Sequence, residues 1–173
     1  MEKKNKSIIK EILSYVFIIL LVIVIRVFIF DPVRVDGPSM DSTLEDGQVL
    51  ILNKFIYRKE DIKRYDIVVI KRDNGEKIIK RVIGLPNETI EIKDNKVYAN
   101  GKLLDSSFTS SISEDFDISE VGFEKVPGDS YFVLGDNREI SLDSRVLGPI
   151  KKEKILGKAS IRIWPVNKIG SVK

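Results

Sequence analysis

The sequence predicts a mainly β domain behind a single hydrophobic N-terminal helix, and three observations carry that expectation. Residues 12–30 are continuously apolar apart from Ser14, Arg26 and the hydroxyl of Tyr15. Past Asp31-Pro32 the apolar residues fall into short alternating runs, the period of half-buried strands. Asp73-Asn74-Gly75-Glu76 separates two of those runs, and Asn-Gly is the strongest short hairpin signal. A chain of 173 residues has room for one domain of ordinary size and such an appendage.

The N-terminal elements follow from charge and hydropathy. A bilayer core needs about 20 apolar residues, so 12–30 predicts a transmembrane anchor, with Arg26 able to reach the headgroups. Residues 1–11 carry Lys3, Lys4, Lys6 and Lys10 against Glu2 and Glu11. The positive-inside rule then predicts a cytoplasmic N-terminus, a single pass and residues 31–173 on the outer face of the cell membrane. A cleaved signal would want a small-x-small site after the apolar core, and Arg26-Val-Phe-Ile-Phe30 offers none. A core helix apolar on every face would need protein on all sides.

Residues 1–30 hold five basic and two acidic side chains, leaving 24 of each sign in the rest of the chain. The overall charge of +3 therefore belongs to membrane orientation and gives no reason to expect a nucleic-acid partner. With no His and no Cys, the chain offers no transition-metal site of the usual kind. No cofactor is expected either.

In the outer domain, Asp66–Arg72 and Glu76–Ile83 predict a hairpin. A two-residue Asn74-Gly75 loop sets Val69 opposite Lys80 and Ile67 opposite Val82. Lys80 then shares a sheet face with Ile67, Val69, Ile78 and Val82, an unusual setting for an ammonium. Thr89–Ile92, Lys96–Ala99 and Lys102–Leu104 predict a meander with turns at Asp94-Asn95 and Asn100-Gly101. Residues 105–125, rich in Ser and acid, predict a loosely ordered insertion. Strands return at Ser130–Leu134 and Ala159–Trp164.

Three clusters point to chemistry. Ser39 lies in Gly37-Pro38-Ser39-Met40, just beyond the hydrophobic span. Taken alone it reads as a turn residue, and Lys80 alone as a solvated strand lysine. Without histidine no Ser-His-Asp triad is possible, and the remaining base that works near neutral pH is a lysine kept neutral. The predicted hairpin supplies the desolvation that lowers a lysine pKa. The third cluster is Gly135-Asp136-Asn137-Arg138-Glu139-Ile140-Ser141-Leu142-Asp143-Ser144-Arg145. Its composition suits a polar turn, and its paired Arg and Asp residues suit an internally paired buttress.

Taken in order, these motifs resemble those of the bacterial type I signal peptidases, membrane-anchored Ser/Lys endopeptidases. Pro38-Ser39-Met40-Asp41-Ser42-Thr43-Leu44 is similar to the nucleophile box and Arg64–Val69 to the next strand. Lys80-Arg81-Val82-Ile83-Gly84-Leu85-Pro86 is similar to the lysine box, and 135–145 to the box that follows. The resemblance implies coiled antiparallel sheets and a small cap within about 87–126. It implies Ser39 as nucleophile and Lys80 as general base, with Ser141 orienting the lysine and Asp143 and Arg145 as a supporting ion pair beside Arg81. Met40, Leu44, Ile78 and Ile79 would shape pockets for small side chains. The implied reaction is removal of signal peptides from membrane-tethered preproteins at the lipid bilayer. Ser42, Tyr65 and Asn87-Glu88 stand where the pattern usually has Pro, Gly and Gly-Asp. Gly37 takes the place of an oxyanion-hole serine found in some relatives, leaving the Ser39 N–H for that task.

Two other readings compete. Self-cleaving repressor-type Ser/Lys proteases share the dyad, but they are soluble and the 12–30 segment argues against them. A non-catalytic anchored β-domain, acting as an interaction module, would have no need of Ser39, Lys80, Ser141 and Asp143 together.

Overall fold

The apolar N-terminal stretch winds into α1 (Glu2–Phe28). This computed structural model describes residues 2–28, 30–109 and 111–172, with side chains for 8–23 and, from Asp31 onward, for the same residues. Every described side chain of α1 is exposed, Leu13 by 60 % and Phe17 by 66 %. Among the described residues no helix is long and apolar enough to cross a membrane. The expected 12–30 span runs past them, and the side chains of Arg26, Lys3, Lys4 and Lys6 lie outside the described residues.

The rest of the chain is β, as the alternating runs predict. In chain order the strands are β1 (Phe30–Arg34), β2 (Val49–Asn53), β3 (Ile67–Lys71), β4 (Lys77–Gly84), β5 (Ile90–Lys93) and β6 (Lys96–Ala99). Then come β7 (Lys102–Leu103), β8 (Phe116–Asp117), β9 (Ser130–Leu134), β10 (Ile150–Lys151), β11 (Ile155–Trp164) and β12 (Gly170–Ser171). One sheet runs β1-β2-β11-β3-β4-β9-β10 with β12 against β11, and a second runs β7-β6-β5-β8. All the pairings are antiparallel. Ten-residue β11 joins β2 to β3 and is interrupted by register shifts, which bend and coil a strand.

The β3–β4 hairpin forms where expected, but its register differs by one residue. Its loop holds three residues, Asp73-Asn74-Gly75: Arg72 N–H donates to Glu76 O and Gly75 N–H to Arg72 O, at 2.8 and 2.9 Å. Gly75 takes the left-handed conformation, φ +87°, that closes a three-residue hairpin loop. Lys80 therefore pairs with Val68 rather than Val69, and Ile67 with Arg81 rather than Val82. The apolar setting of Lys80 survives because β3 reads Ile-Val-Val-Ile, with all four side chains buried. Lys80 shares its face with Val68, Ile70, Ile78 and Val82, in place of Ile67 and Val69.

That double-sided strand divides the main core. Ile67, Val69 and Ile79 pack with Met40, Leu44, Leu50 and Leu52. Val68, Ile70 and Val82 pack with Tyr131, Val133 and Ile150. A third cluster joins the small sheet to the large one through Ile83, Ile90, Phe116, Val126 and Phe132. The segment 105–125 is thus less loose than its composition suggests. Phe116 and Ile118 are 7 % and 1 % exposed. Asp117 caps the following 3-10 turn in a capping box with Glu120.

Candidate active site

Ser39 sits in a tight turn between β1 and β2, half-buried. Asp41 N–H donates to Pro38 O, and Thr43 and Leu44 N–H both to Met40 O, at 2.8–3.1 Å. The turn is moored from beneath by Met40 and Leu44, which are 1 % and 0 % exposed. It is moored from the side by Asn137 N–H, which donates to Ser39 O at 3.1 Å. The Ser39 N–H is not among the donors that close the turn.

Strand β4 brings Lys80 to this serine across 41 residues of sequence: Nζ donates to Ser39 Oγ at 2.7 Å. Lys80 is only 3 % exposed. Desolvation by burial pushes its pKa down from 10.5 to about 8, against the opposing pull of Asp143 and Asp136. A cleft of about 50 Å³ opens at the pair, lined by Val35, Met40, Ile78 and Ile79 among others. A cleft of that size admits a small side chain and no large one. Met40, Ile78 and Ile79 line this cleft, while Leu44 lies in the core below it rather than on its wall.

The 135–145 loop buttresses the pair. Asp143 takes the Arg145 guanidinium on both carboxylate oxygens at 3.0 Å, and also accepts from Gly135 N–H at 3.0 Å. The expected ion pair is therefore present. Ser141 comes close to the turn, but its Oγ is buried with no hydrogen-bond partner among the described residues, so no bond joins it to Lys80. Gly135 is required for this approach. A Cβ there would stand 2.1 Å from Ser141 Oγ and 2.5 Å from Ser39 O.

Sequence reasoning named Arg81 without its partner. Arg81 clamps Asp136 bidentately at 2.8 and 2.7 Å, with both side chains 1 % exposed. Thr43 Oγ1 donates to Asp136 at 2.6 Å and so ties the Ser39 turn to that pair. Phe108, from the cap, lies over the Arg81 guanidinium at 4.3 Å. Arg138 is a further buried cation, its pKa pushed down to about 10 by burial and by Arg145. The close Arg/Asp spacing of the loop signalled an internal buttress, but Asp136 turns out to pair across 55 residues, which no local pattern reveals.

The chain is similar to known proteins. The family model described as "Signal peptidase, peptidase S26" matches residues 8–164. The chain belongs to that family. Signal peptidase I V of Bacillus subtilis (strain 168) is 41 % identical over 155 residues, 84 % of this chain and 92 % of that protein. Signal peptidase I P of Bacillus subtilis subsp. natto is 39 % identical over 184 residues, covering 99 % and 98 %. A crystal structure of a signal peptidase I from Enterococcus faecalis V583 superposes with a TM-score of 0.52 at 33 % identity. It covers 57 % of this chain and 97 % of that one. Membership agrees with the resemblance carried by the ordered motifs, and the fold shared with that structure is the mainly β, antiparallel one. This signal peptidase family member also places the motif residues Ser39, Lys80, Asp143 and Arg145 within one buttressed site.

Proposed function

We propose that this chain is a serine endopeptidase that removes signal peptides from exported preproteins after small residues, with Ser39 as nucleophile and Lys80 as its base. The observation that carries the proposal is the 2.7 Å approach of Lys80 Nζ to Ser39 Oγ, with the lysine buried and its pKa near 8. A non-catalytic module would have no reason to bury a lysine against a serine. Charged, Lys80 donates to Oγ; having lost its proton it accepts the Oγ–H instead.

Ser39 Oγ then attacks the scissile carbonyl carbon while its proton passes to Lys80 Nζ. Collapse of the tetrahedral species breaks the C–N bond, and Lys80 returns the proton to the departing amine. The acyl-ester is hydrolysed by a water that gives its proton to Lys80, which hands it back to Ser39 Oγ. The Ser39 N–H is the main-chain donor offered to the oxyanion. Asp143 with Arg145 and Asp136 with Arg81 hold the loop and turn on which these atoms depend. The cleft of about 50 Å³ favours a small residue before the cut.

The anchor belongs to this proposal. Residues 12–30 cross the cell membrane once, 1–11 stay in the cytoplasm, and 31–173 work on the outer face. The exposed apolar surface of α1 and the N-terminal lysines support that topology. The substrates are then preproteins tethered to the same bilayer, so cleft and scissile bond meet at one surface. Cleavage of a purified preprotein by wild type, and none by Ser39→Ala, is the expected result. Turnover by a Ser39→Ala preparation free of wild type would overturn the assignment.

A further inference from the structure

A basic and aromatic loop lies where the chain leaves α1. Strand β1 begins at Phe30, just past the end of α1 at Phe28, and Phe30 pairs with Asn53, the last residue of β2. After Asn53 comes Lys54-Phe55-Ile56-Tyr57-Arg58-Lys59, a run with cations and aromatic rings but no acid. Asn53 Oδ1 accepts from Phe55 and Ile56 N–H at 3.0 and 3.1 Å, which turns the loop at once and keeps it beside the start of β1. A 3-10 turn over Ile56–Arg58 follows, with none of its residues buried.

The loop presents an exposed ring between cations. Arg58 Cζ and Lys59 Nζ stand over the Phe55 ring at 5.6 and 5.3 Å from its centre, and all three side chains are exposed. Among the described residues neither cation has a carboxylate partner. The next acids are turned to other lysines: Glu60 pairs with Lys63 at 3.3 Å, and Asp61 lies 3.9 Å from Lys152. Asp31 links the loop to the cleft. Its carboxylate meets Lys54 at 3.2 Å and Lys77 at 3.6 Å, and Lys77 lines the cleft at Ser39.

We propose that Phe55, Arg58 and Lys59 form a binding site for anionic phospholipid headgroups at the point where the chain leaves the bilayer. The Arg58 guanidinium takes phosphate oxygens, Lys59 adds a second positive charge, and the Phe55 ring lies at headgroup level. The inference rests on the proposed insertion of residues 12–30 and deepens it by naming a second contact with the same bilayer. A lone helix leaves the β part free to tilt about its exit. A headgroup site beside that exit, joined through Asp31 to Lys77, holds the cleft against the surface to which its substrates are tethered.

The test uses the full chain reconstituted in phosphatidylcholine vesicles. Trp164→Phe removes the single tryptophan of the chain, and Phe55→Trp then places a fluorescent reporter in the loop. Equal fractions of lipid brominated on the acyl chain are added, as phosphatidylglycerol or as phosphatidylcholine. Brominated phosphatidylglycerol is expected to quench the reporter at least about twofold more strongly, because the basic pair enriches anionic lipid around it. High salt should shrink that excess without any further substitution. Arg58→Glu with Lys59→Glu should remove it, and Arg58→Lys with Lys59→Arg should keep it. Equal quenching by the two lipids, no quenching by either, or an excess that survives the double Glu variant would overturn the inference while the chain stays in the vesicles. Release of the chain by alkaline carbonate would sink the insertion reading and this inference with it, so the two failures are distinguishable.

Discussion

Replacing Lys80 by Met tests whether the base is neutral because it is buried. Met keeps most of the bulk and removes the charge. Lys80 lies 3 % exposed, with a folded pKa of about 8 against an ordinary 10.5. Because the folded value is the lower one, the unfolded chain binds this proton more tightly. Burial of the group therefore destabilises the fold fully below pH 8, less and less between about 8 and 10.5, and not at all above. That gap corresponds to roughly 3 kcal/mol at neutral pH. Lys80→Met should thus be inactive and yet, at pH 7, as stable as wild type or more so, by up to about 3 kcal/mol. Wild type should gain on the variant as pH climbs through that window, and its cleavage rate should rise through pH 8. Equilibrium urea denaturation of the full chain in a mild detergent, followed by far-UV circular dichroism at several pH values, measures the difference. A Met variant clearly less stable than wild type at pH 7 would refute the reasoning. It would mean that the lysine is charged and well partnered in the fold, which removes the physical basis of its role as base.

Lys80→Arg should be as inactive as Ser39→Ala in a preprotein cleavage assay, since a guanidinium stays protonated at working pH. Asp136→Asn leaves Arg81 buried without its counter-charge, and urea unfolding should show a loss of about 3–5 kcal/mol. Gly135→Ala drives a Cβ into Ser39 O and Ser141 Oγ, so peptide cleavage should fall by about 100-fold through misplacement of the nucleophile turn. Protease added outside spheroplasts should digest residues 31–173 without membrane lysis, and protection until lysis would reverse the proposed topology.

Much of the fold was legible because its signals are local. Asn74-Gly75 marked the β3–β4 hairpin, and alternating runs marked β5, β6, β9 and the end of β11. What failed was also local in origin. The Asn-Gly pair is compatible with loops of two or three residues, and the longer one moved Lys80 from Val69 to Val68. Strand β2 went unread because Val49-Leu-Ile-Leu-Asn53 is an apolar run whose partners, β1 and β11, lie far apart in sequence. Strand β8 is two residues long and exists through its pairing with β5. In the site, Ser39 and Lys80 were singled out by elimination and by motif order, and the fold sets them 2.7 Å apart. The Arg81–Asp136–Thr43 link was not, because it joins a strand, a loop and a turn that only the fold brings together.

Two of the positions at which this chain departs from the pattern of the motifs, Ser42 and Tyr65, meet at Phe108. Ser42, Tyr65 and Asn87 all have positive φ, at 87°, 70° and 67°. Glycine, which the pattern has at the latter two positions, takes that conformation freely; a bulky Tyr does so only where its surroundings hold it. Proline, fixed near −65°, cannot stand where Ser42 does. The restraints are visible and centre on the cap. The Tyr65 ring packs on Phe108 at 5.5 Å and its hydroxyl accepts from Asp105 N–H at 3.1 Å. Ser42 Oγ donates to Phe108 O. Asn87 N–H donates to Val126 O at 2.8 Å. Phe108 in turn covers Arg81, and Thr109 Oγ1 donates to Asp136 O. The cap is therefore more than an appendage to the small sheet: it excludes water from the Arg81–Asp136 pair, and through Thr43 that pair holds the turn that presents Ser39. Backbone strain at Tyr65 and Ser42 is offset by the contacts that fasten the cap to Arg81 and the 135–145 loop, so these two substitutions, which look like local defects in the motifs, are points at which this chain locks its site together.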